Sequence, residues 1–216
     1  MTAPHAAKGP PDRVVLEGRY TRLEPIGPQH VGDLWRATVP ERYAYLFGHA
    51  PADEAELAKR TAIAAAETDP LWFAVVDKAR GTAEGQQSLM RIVPEHGVIE
   101  IGGIYWGPRM ARSRVATEAL FLHAQYVFDT LGYRRFEWKC NDRNEPSKRA
   151  ARRFGFEFEG VFRQHMIIKG ENRDTAWFAM LDGDWPRIRA EYQRWLAPEN
   201  FDENGVQRTK LMAGSH

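Results

Sequence analysis

Residues 100–118 read EIGGIYWGPRMARSRVATE. Glu100 to Trp106 reads as extended chain, and Gly107-Pro108 breaks it. A loop carrying Arg109, Arg112 and Arg114 then leads into the first turn of a long amphipathic helix. The first turn of a helix leaves N–H groups with no acceptor inside the helix, and the aligned peptide dipoles add partial positive charge there. A basic loop in front of such a turn is an anion site in physical terms, and phosphate suits it. A solvated arginine loop has the same sequence, so both readings stand on these residues alone.

Downstream, Val115 to Leu131 forms the long helix, with Leu120, Ala124, Val127 and Leu131 on one face and Gly132 as its stop. RRFEWKC, residues 134–140, is a strand that sets Phe136, Trp138 and Cys140 against Arg135, Glu137 and Lys139. Asn144 caps a short helix, NEPSKRAARRF, with Pro146 in its first turn and Gly155 at its end. Phe156 to Phe162 and Gln164 to Lys169 are extended, Gly170 to Asn172 turns, and Thr175 to Leu181 is the last strand. Asp184 caps a final helix from Trp185 to Leu196.

Upstream, Val98 to Trp106 pairs as a hairpin with Gln87 to Val93. Leu71 to Val76 is a buried strand, followed by a turn from Lys78 to Gly85. Asp53 with Glu56 makes a capping box for an Ala-rich helix over Glu54 to Glu67. Pro28 to Thr38 supplies a shorter helix, and Val14 to Leu16 and Tyr20 to Glu24 are extended. Residues 1–13 are expected to be a flexible leader, 14–197 the folded domain, and 198–216 a polar tail. With no repeat and no linker, the order predicts one α/β domain: a mixed central β-sheet flanked by helices.

Composition narrows the function classes. Thirty Lys and Arg against twenty-nine Asp and Glu leave a formal charge of +1, so bulk attraction to nucleic acid or an anionic membrane has no basis. The single Cys140 excludes an internal disulfide and fits a reducing cytoplasm. No apolar run is long enough to span a bilayer. Seven scattered histidines with that one cysteine give no metal-ligand spacing.

Three pieces together resemble the GCN5-related N-acetyltransferase (GNAT) family, in the branch that acetylates ribosomal-protein N-termini. They are EIGGIYWGPRMARSRVATEAL, DTLGYRRFEWKCNDRNEPSKRAARRFGFEFEG and KGENRDTAWFAML. Asn144-x-x-Ser147, ending in Arg153-Phe154-Gly155-Phe156 and Glu159-Gly160, is the most specific match. The resemblance implies a sheet splayed open between two parallel strands, 98–106 and 134–140, with the pantetheine arm of acetyl-CoA in the split. It puts the pyrophosphate on the loop before the long helix, where the family reads Gln/Arg-x-x-Gly-x-Gly/Ala. Here that loop is Ala111-Arg112-Ser113-Arg114-Val115-Ala116. Ala116 matches, but Ala111 replaces the Gln/Arg and Arg114 replaces the glycine that would let backbone approach phosphate. Arginine side chains, Arg109 among them, are then expected to stand in for some backbone contacts.

Acetyl transfer to an amine needs the amine deprotonated, hydrogen-bond donors on the thioester oxygen, and a proton for the leaving thiolate. Glu100 is the candidate base; its other reading is an outward residue on a solvated strand face. Backbone N–H groups from Ile101 to Ile104 are the candidate oxygen donors, though Gly102-Gly103 also reads as a bulge. By resemblance Asn144 binds the pantetheine arm and Ser147 gives the sulfur its proton, while both also read as ordinary helix-start residues. Tyr133 and Tyr105 are weaker acids to consider. Cys140 reads as core and His165 as a strand residue. The expected partner is an amine acceptor, whether small metabolite, antibiotic or peptide terminus, and a homodimer fits the branch. Two alternatives are a larger acyl-CoA and a catalytically silent CoA-binding module.

Overall fold

The computed structural model describes residues 5–214. Its elements follow the chain as β1 (Leu16–Glu17), β2 (Thr21–Pro25), α1 (Val31–Ala37), α2 (Glu54–Ala66), β3 (Leu71–Asp77), β4 (Thr82–Val93) and β5 (Val98–Trp106). Then come α3 (Arg114–Gln125), β6 (Arg135–Asn141), α4 (Glu145–Arg153), β7 (Glu157–Ile168), β8 (Glu171–Leu181) and α5 (Trp185–Leu196). The strands form one eight-stranded sheet in the order β1-β2-β3-β4-β5-β6-β8-β7. Among the described residues, only β5 and β6 pair in parallel.

That parallel pair positions the site. Its ladder runs from Val98 opposite Arg135 to Ile101 opposite Trp138 and stops there. Yet β5 continues to Trp106 and β6 to Asn141. On its other edge β5 stays paired with β4 as far as Trp106, and β6 stays paired with β8 as far as Asn141. The two halves of the sheet therefore part beyond Ile101 and Trp138.

Alternation along the strands sorts the two faces. Ile99, Ile101, Phe136, Trp138 and Cys140 join the main core with α3 and α5. Ala74, Val76 and Ala83 pack with Leu34 of α1 and Leu57 of α2 in a second core on the other face. Beyond the reach of α1 and α2, that second face carries Glu100 on β5, Lys139 on β6 and, through the Lys139–Trp177 register, Trp177 and Arg173 on β8.

Several boundaries differ from the sequence reading for local reasons. β4 starts at Thr82 rather than Gln87, because Gly85 admits the Tyr105 carbonyl, 2.4 Å from where a Cβ would stand. β7 is one strand that bulges between Phe162 and Met166, with Gln164 at φ 51°. The long helix loses α geometry after Gln125 and ends in a π-helical turn, Tyr126–Thr130. Before residue 14, the Ala7 and Lys8 N–H groups donate to Pro94 and Leu131, and Gly9 O accepts from the Tyr133 hydroxyl. Residues 1–4 of the expected leader lie outside the described residues. In the tail, Phe201, Leu211 and Ala213 are buried in the main core.

The Gly102-Gly103 pair does mark a bulge: Gln86 faces Tyr105 and Ser88 faces Gly102, so two residues of β5 oppose Gln87 alone. Gly103 has φ +59°, and a Cβ there would lie 2.3 Å from the Trp72 ring. Gly103→Ala is therefore expected to destabilise the fold by about 2–3 kcal/mol, from left-handed strain plus overpacking. Denaturant unfolding of the purified variant checks this.

Candidate active site

A cavity of about 810 Å³ occupies the split and continues under α2 and residues 41–49. Glu100, Ile101, Ile104, Ala111, Asn144 and Ser147 line it, so this much of the expected site comes together in space. Arg109, Arg112, Ser113, Arg114, Val115 and Ala116 are not on its wall. They form the turn at the start of α3.

At that turn Ser113 is the N-cap, its Oγ accepting from Ala116 N–H at 3.3 Å. Among the described residues, no hydrogen bond takes the backbone N–H of Arg112, Arg114 or Val115. The three arginines do different things. Arg109 is committed to the buried Glu84, with Nε and Nη2 at 2.9 and 2.7 Å from its two oxygens. Arg114 lies over the Tyr20 ring at 4.4 Å and the Phe201 ring at 5.4 Å. Arg112 is exposed and has φ 64°. The left-handed residue of this loop is thus Arg112, while Arg114 is already helical, so glycine is not required at 114. Arg153 also reaches this turn, donating to Thr117 Oγ1 at 3.2 Å and lying over Phe154 and Trp195.

Asn144 fills its capping role, its Oδ1 accepting from Ser147 N–H at 3.1 Å. That bond leaves its side-chain NH₂ available to the cavity. Ser147 Oγ accepts from the Trp138 indole N–H at 3.1 Å, which fixes the hydroxyl at the fork of β5 and β6. Ser147 also stands beside Cys140, whose thiol is pushed up by burial, so the core reading of this cysteine fits better than an activated nucleophile.

Glu100 is not on a solvated face. It is 1% exposed, with Oε2 2.9 Å from Lys139 Nζ and 3.3 Å from Arg91 Nε. Burial raises its pKa, and Lys139 and Arg91 pull the other way. Its other oxygen, Oε1, points along β5 toward Gly102, 3.4 Å from the position a Cβ would take there.

The remaining candidates are occupied elsewhere. Tyr105 lines the cavity, but its hydroxyl donates to Ala37 O at 2.8 Å and accepts from Val39 N–H at 2.7 Å. Tyr133 is buried away from the cavity, and burial pushes its hydroxyl up to about 12. His165 Nδ1 lies 3.0 Å from Thr175 Oγ1, and its ring packs on Phe162 and Trp177.

Sequence reasoning missed Lys139, Arg91 and Arg173. Lys139 was visible as part of the charged alternation of RRFEWKC, but nothing local names Glu100 as its partner. Arg91 sits at φ 50° at the irregular end of β4, which no short-range pattern announces.

Among the described residues no helix is long and apolar enough to cross a membrane. The family model for the acetyltransferase (GNAT) domain matches residues 21–157. No curated protein matches the chain. A GCN5-related N-acetyltransferase from Brucella melitensis is 54% identical, with 96% of each chain covered and a TM-score of 0.93. A probable GNAT-family acetyltransferase from Chromobacterium violaceum is 37% identical over 86% of this chain and 95% of its own, with a TM-score of 0.79. The Salmonella typhimurium acetyltransferase described as modifying the N-terminal serine of ribosomal protein L7/L12 is 18% identical over 78% of this chain and 99% of its own. Its TM-score of 0.67 shows a common fold. With a family model spanning most of the sheet and a relative sharing over half its residues, this chain belongs to the GCN5-related N-acetyltransferase family.

Proposed function

We propose that this protein transfers an acetyl group from acetyl-CoA to a primary amine, by direct attack of the amine on the thioester, in the cytoplasm. The observation that carries the reading is the parting of β5 and β6 beyond Ile101 and Trp138, with Glu100 on one wall of the resulting cavity and Ser147 on the other. The chain's own donors suit a CoA thioester. Unpaired N–H groups of Arg112, Arg114 and Val115 at the start of α3 would hold the diphosphate, and the Asn144 amide the pantetheine arm. Bound there, acetyl-CoA supplies an acyl group already activated as a thioester.

The residues then have separate tasks. Glu100 Oε1 takes the amine proton, directly or through one water, while Lys139 and Arg91 hold Oε2 in place. Backbone N–H groups of the Gly102–Ile104 bulge, where β5 has no β6 ladder, polarise the carbonyl oxygen. Ser147 Oγ, oriented by the Trp138 indole, gives a proton to the departing sulfur. A thiol of pKa about 8.5 leaves readily, so this last assistance is modest.

Calorimetric titration with acetyl-CoA tests the reading, with thiol release in the presence of amines as the second arm. No binding at about millimolar acetyl-CoA rejects it, and binding without turnover of any amine favours a silent module. Tighter use of a longer acyl-CoA assigns a different donor. One variant tests the loop: Arg112→Gly is expected to raise the KM for acetyl-CoA about tenfold by removing a guanidinium from the phosphate site. Relief of left-handed strain is offset by the entropy of glycine, so unfolding free energy moves by less than about 1 kcal/mol.

A further inference from the structure

Arg173 is 5% exposed, yet it lines the cavity on the sheet face opposite α3. Among the described residues no carboxylate forms an ion pair with it, and its Nε is buried without a hydrogen-bond partner. Burial pulls its pKa below the ordinary arginine value, with Cys140 and Glu100 acting against that shift. Its guanidinium carbon lies 4.5 Å from the centroid of the Phe47 ring, a cation–π contact that holds the head group beside the cavity. The carboxylate nearest this region is already taken: Glu100 serves Lys139 and Arg91. Lys139, Arg91 and Arg173 thus stand near Glu100, while Glu137, opposite it on β6, is bound through Oε1 to Arg135. A buried Nε with no partner is costly in the free protein, and a cavity-lining position is where a ligand can complete it.

From this we propose that the acceptor is a small amine carrying a carboxylate, an amino acid in chemical class, whose carboxylate is held by the Arg173 fork. The inference rests on the transferase reading above and narrows its acceptor. A planar guanidinium offers two parallel N–H groups, the geometry a carboxylate accepts. The same field does a second job. With Lys139, Arg91 and Arg173 close by, an ammonium group is disfavoured relative to the neutral amine, which is the form that attacks. Polycationic amines such as polyamines are repelled for the same reason.

The test compares α-amino acids with their own α-carboxamides, together with spermidine and a short peptide bearing a free N-terminus, by thiol release from acetyl-CoA. For at least one amino acid, kcat/KM is expected to exceed that of its carboxamide about a hundredfold, mostly through KM. In Arg173→Gln this ratio falls to near one, and Arg173→Lys, which keeps charge without the fork, recovers it only in part. Equal turnover of acids and amides, preference for spermidine or the peptide, or an unchanged ratio in Arg173→Gln overturns the proposal and leaves the transferase reading standing. Tryptophan-fluorescence titration with the same acids and amides, without acetyl-CoA, separates the two failures. If acetyl-CoA does not bind but amino acids bind in an Arg173-dependent way, the transferase reading falls and the carboxylate site stands. If no acid binds better than its amide, the carboxylate site falls.

Discussion

Glu100→Gln is expected to lower kcat about a hundredfold at neutral pH and to erase the acid limb of the pH–rate profile. The sign follows from the environment. Burial raises the Glu100 pKa above its ordinary value of 4.5, against the pull of Lys139 and Arg91. A base works only when deprotonated, so in the parent protein activity falls as pH drops through this raised pKa. Glutamine carries no proton to titrate, so its low residual rate loses that dependence, and the deficit is widest at high pH. KM for acetyl-CoA should stay close to the parent value, since Glu100 lies on the face away from α3. Removing the carboxylate also leaves Lys139 buried with no anionic partner, so an unfolding curve must accompany the kinetics. An unchanged kcat in a folded variant removes Glu100 as the base.

The largest effect on stability is expected at Glu118, in α3. Its carboxylate accepts three backbone N–H groups from the turn between β1 and β2: Arg19 at 2.9 Å, Tyr20 at 2.6 Å and Thr21 at 2.7 Å. The residue is 4% exposed, so water cannot replace those bonds. In Glu118→Gln one acceptor oxygen becomes an NH₂ group aimed at N–H donors. The expected loss is about 3 kcal/mol, or roughly 6–12 °C in Tm for a domain of this size. Thermal unfolding checks it. Because α3 carries the anion-binding turn, KM for acetyl-CoA should rise as well, which a loss confined to the sheet edge would not produce. A shift of less than about 1 °C would show that the turn holds without this carboxylate.

Much of the fold was legible because its signals are local. The break at Gly107-Pro108, the alternation of RRFEWKC and the Asn144 helix start each depend on neighbours within a few residues. The continuity of β7 through its bulge, the early start of β4 and the π-helical turn after Gln125 were not legible, since each follows from what packs against it. The site divides the same way. Asn144 and Ser147 were assigned by resemblance to the family's N-x-x-S signature, and the structure keeps both the capping bond and the cavity-lining position. Arg109 and Arg114 were grouped with Arg112 as one basic loop. Their side chains turned instead to Glu84, 25 residues away, and to Tyr20 and Phe201 in distant parts of the chain. No spacing rule reaches such partners.

By itself, then, the sequence carried a resemblance to this family, which implied the split and the residues near it, and it determined a single mixed α/β domain with the strand–loop–helix at 100–118. The latter two are properties of hydrophobic period, caps and breakers, which act over a few residues. Only the tertiary structure decided which charges meet. Glu100 and Lys139 come from strands separated by the whole of α3, and Arg173 arrives on β8, beside β6, with its buried Nε unpaired. Coulomb energy depends on distance and desolvation through space, neither of which a linear order of residues contains.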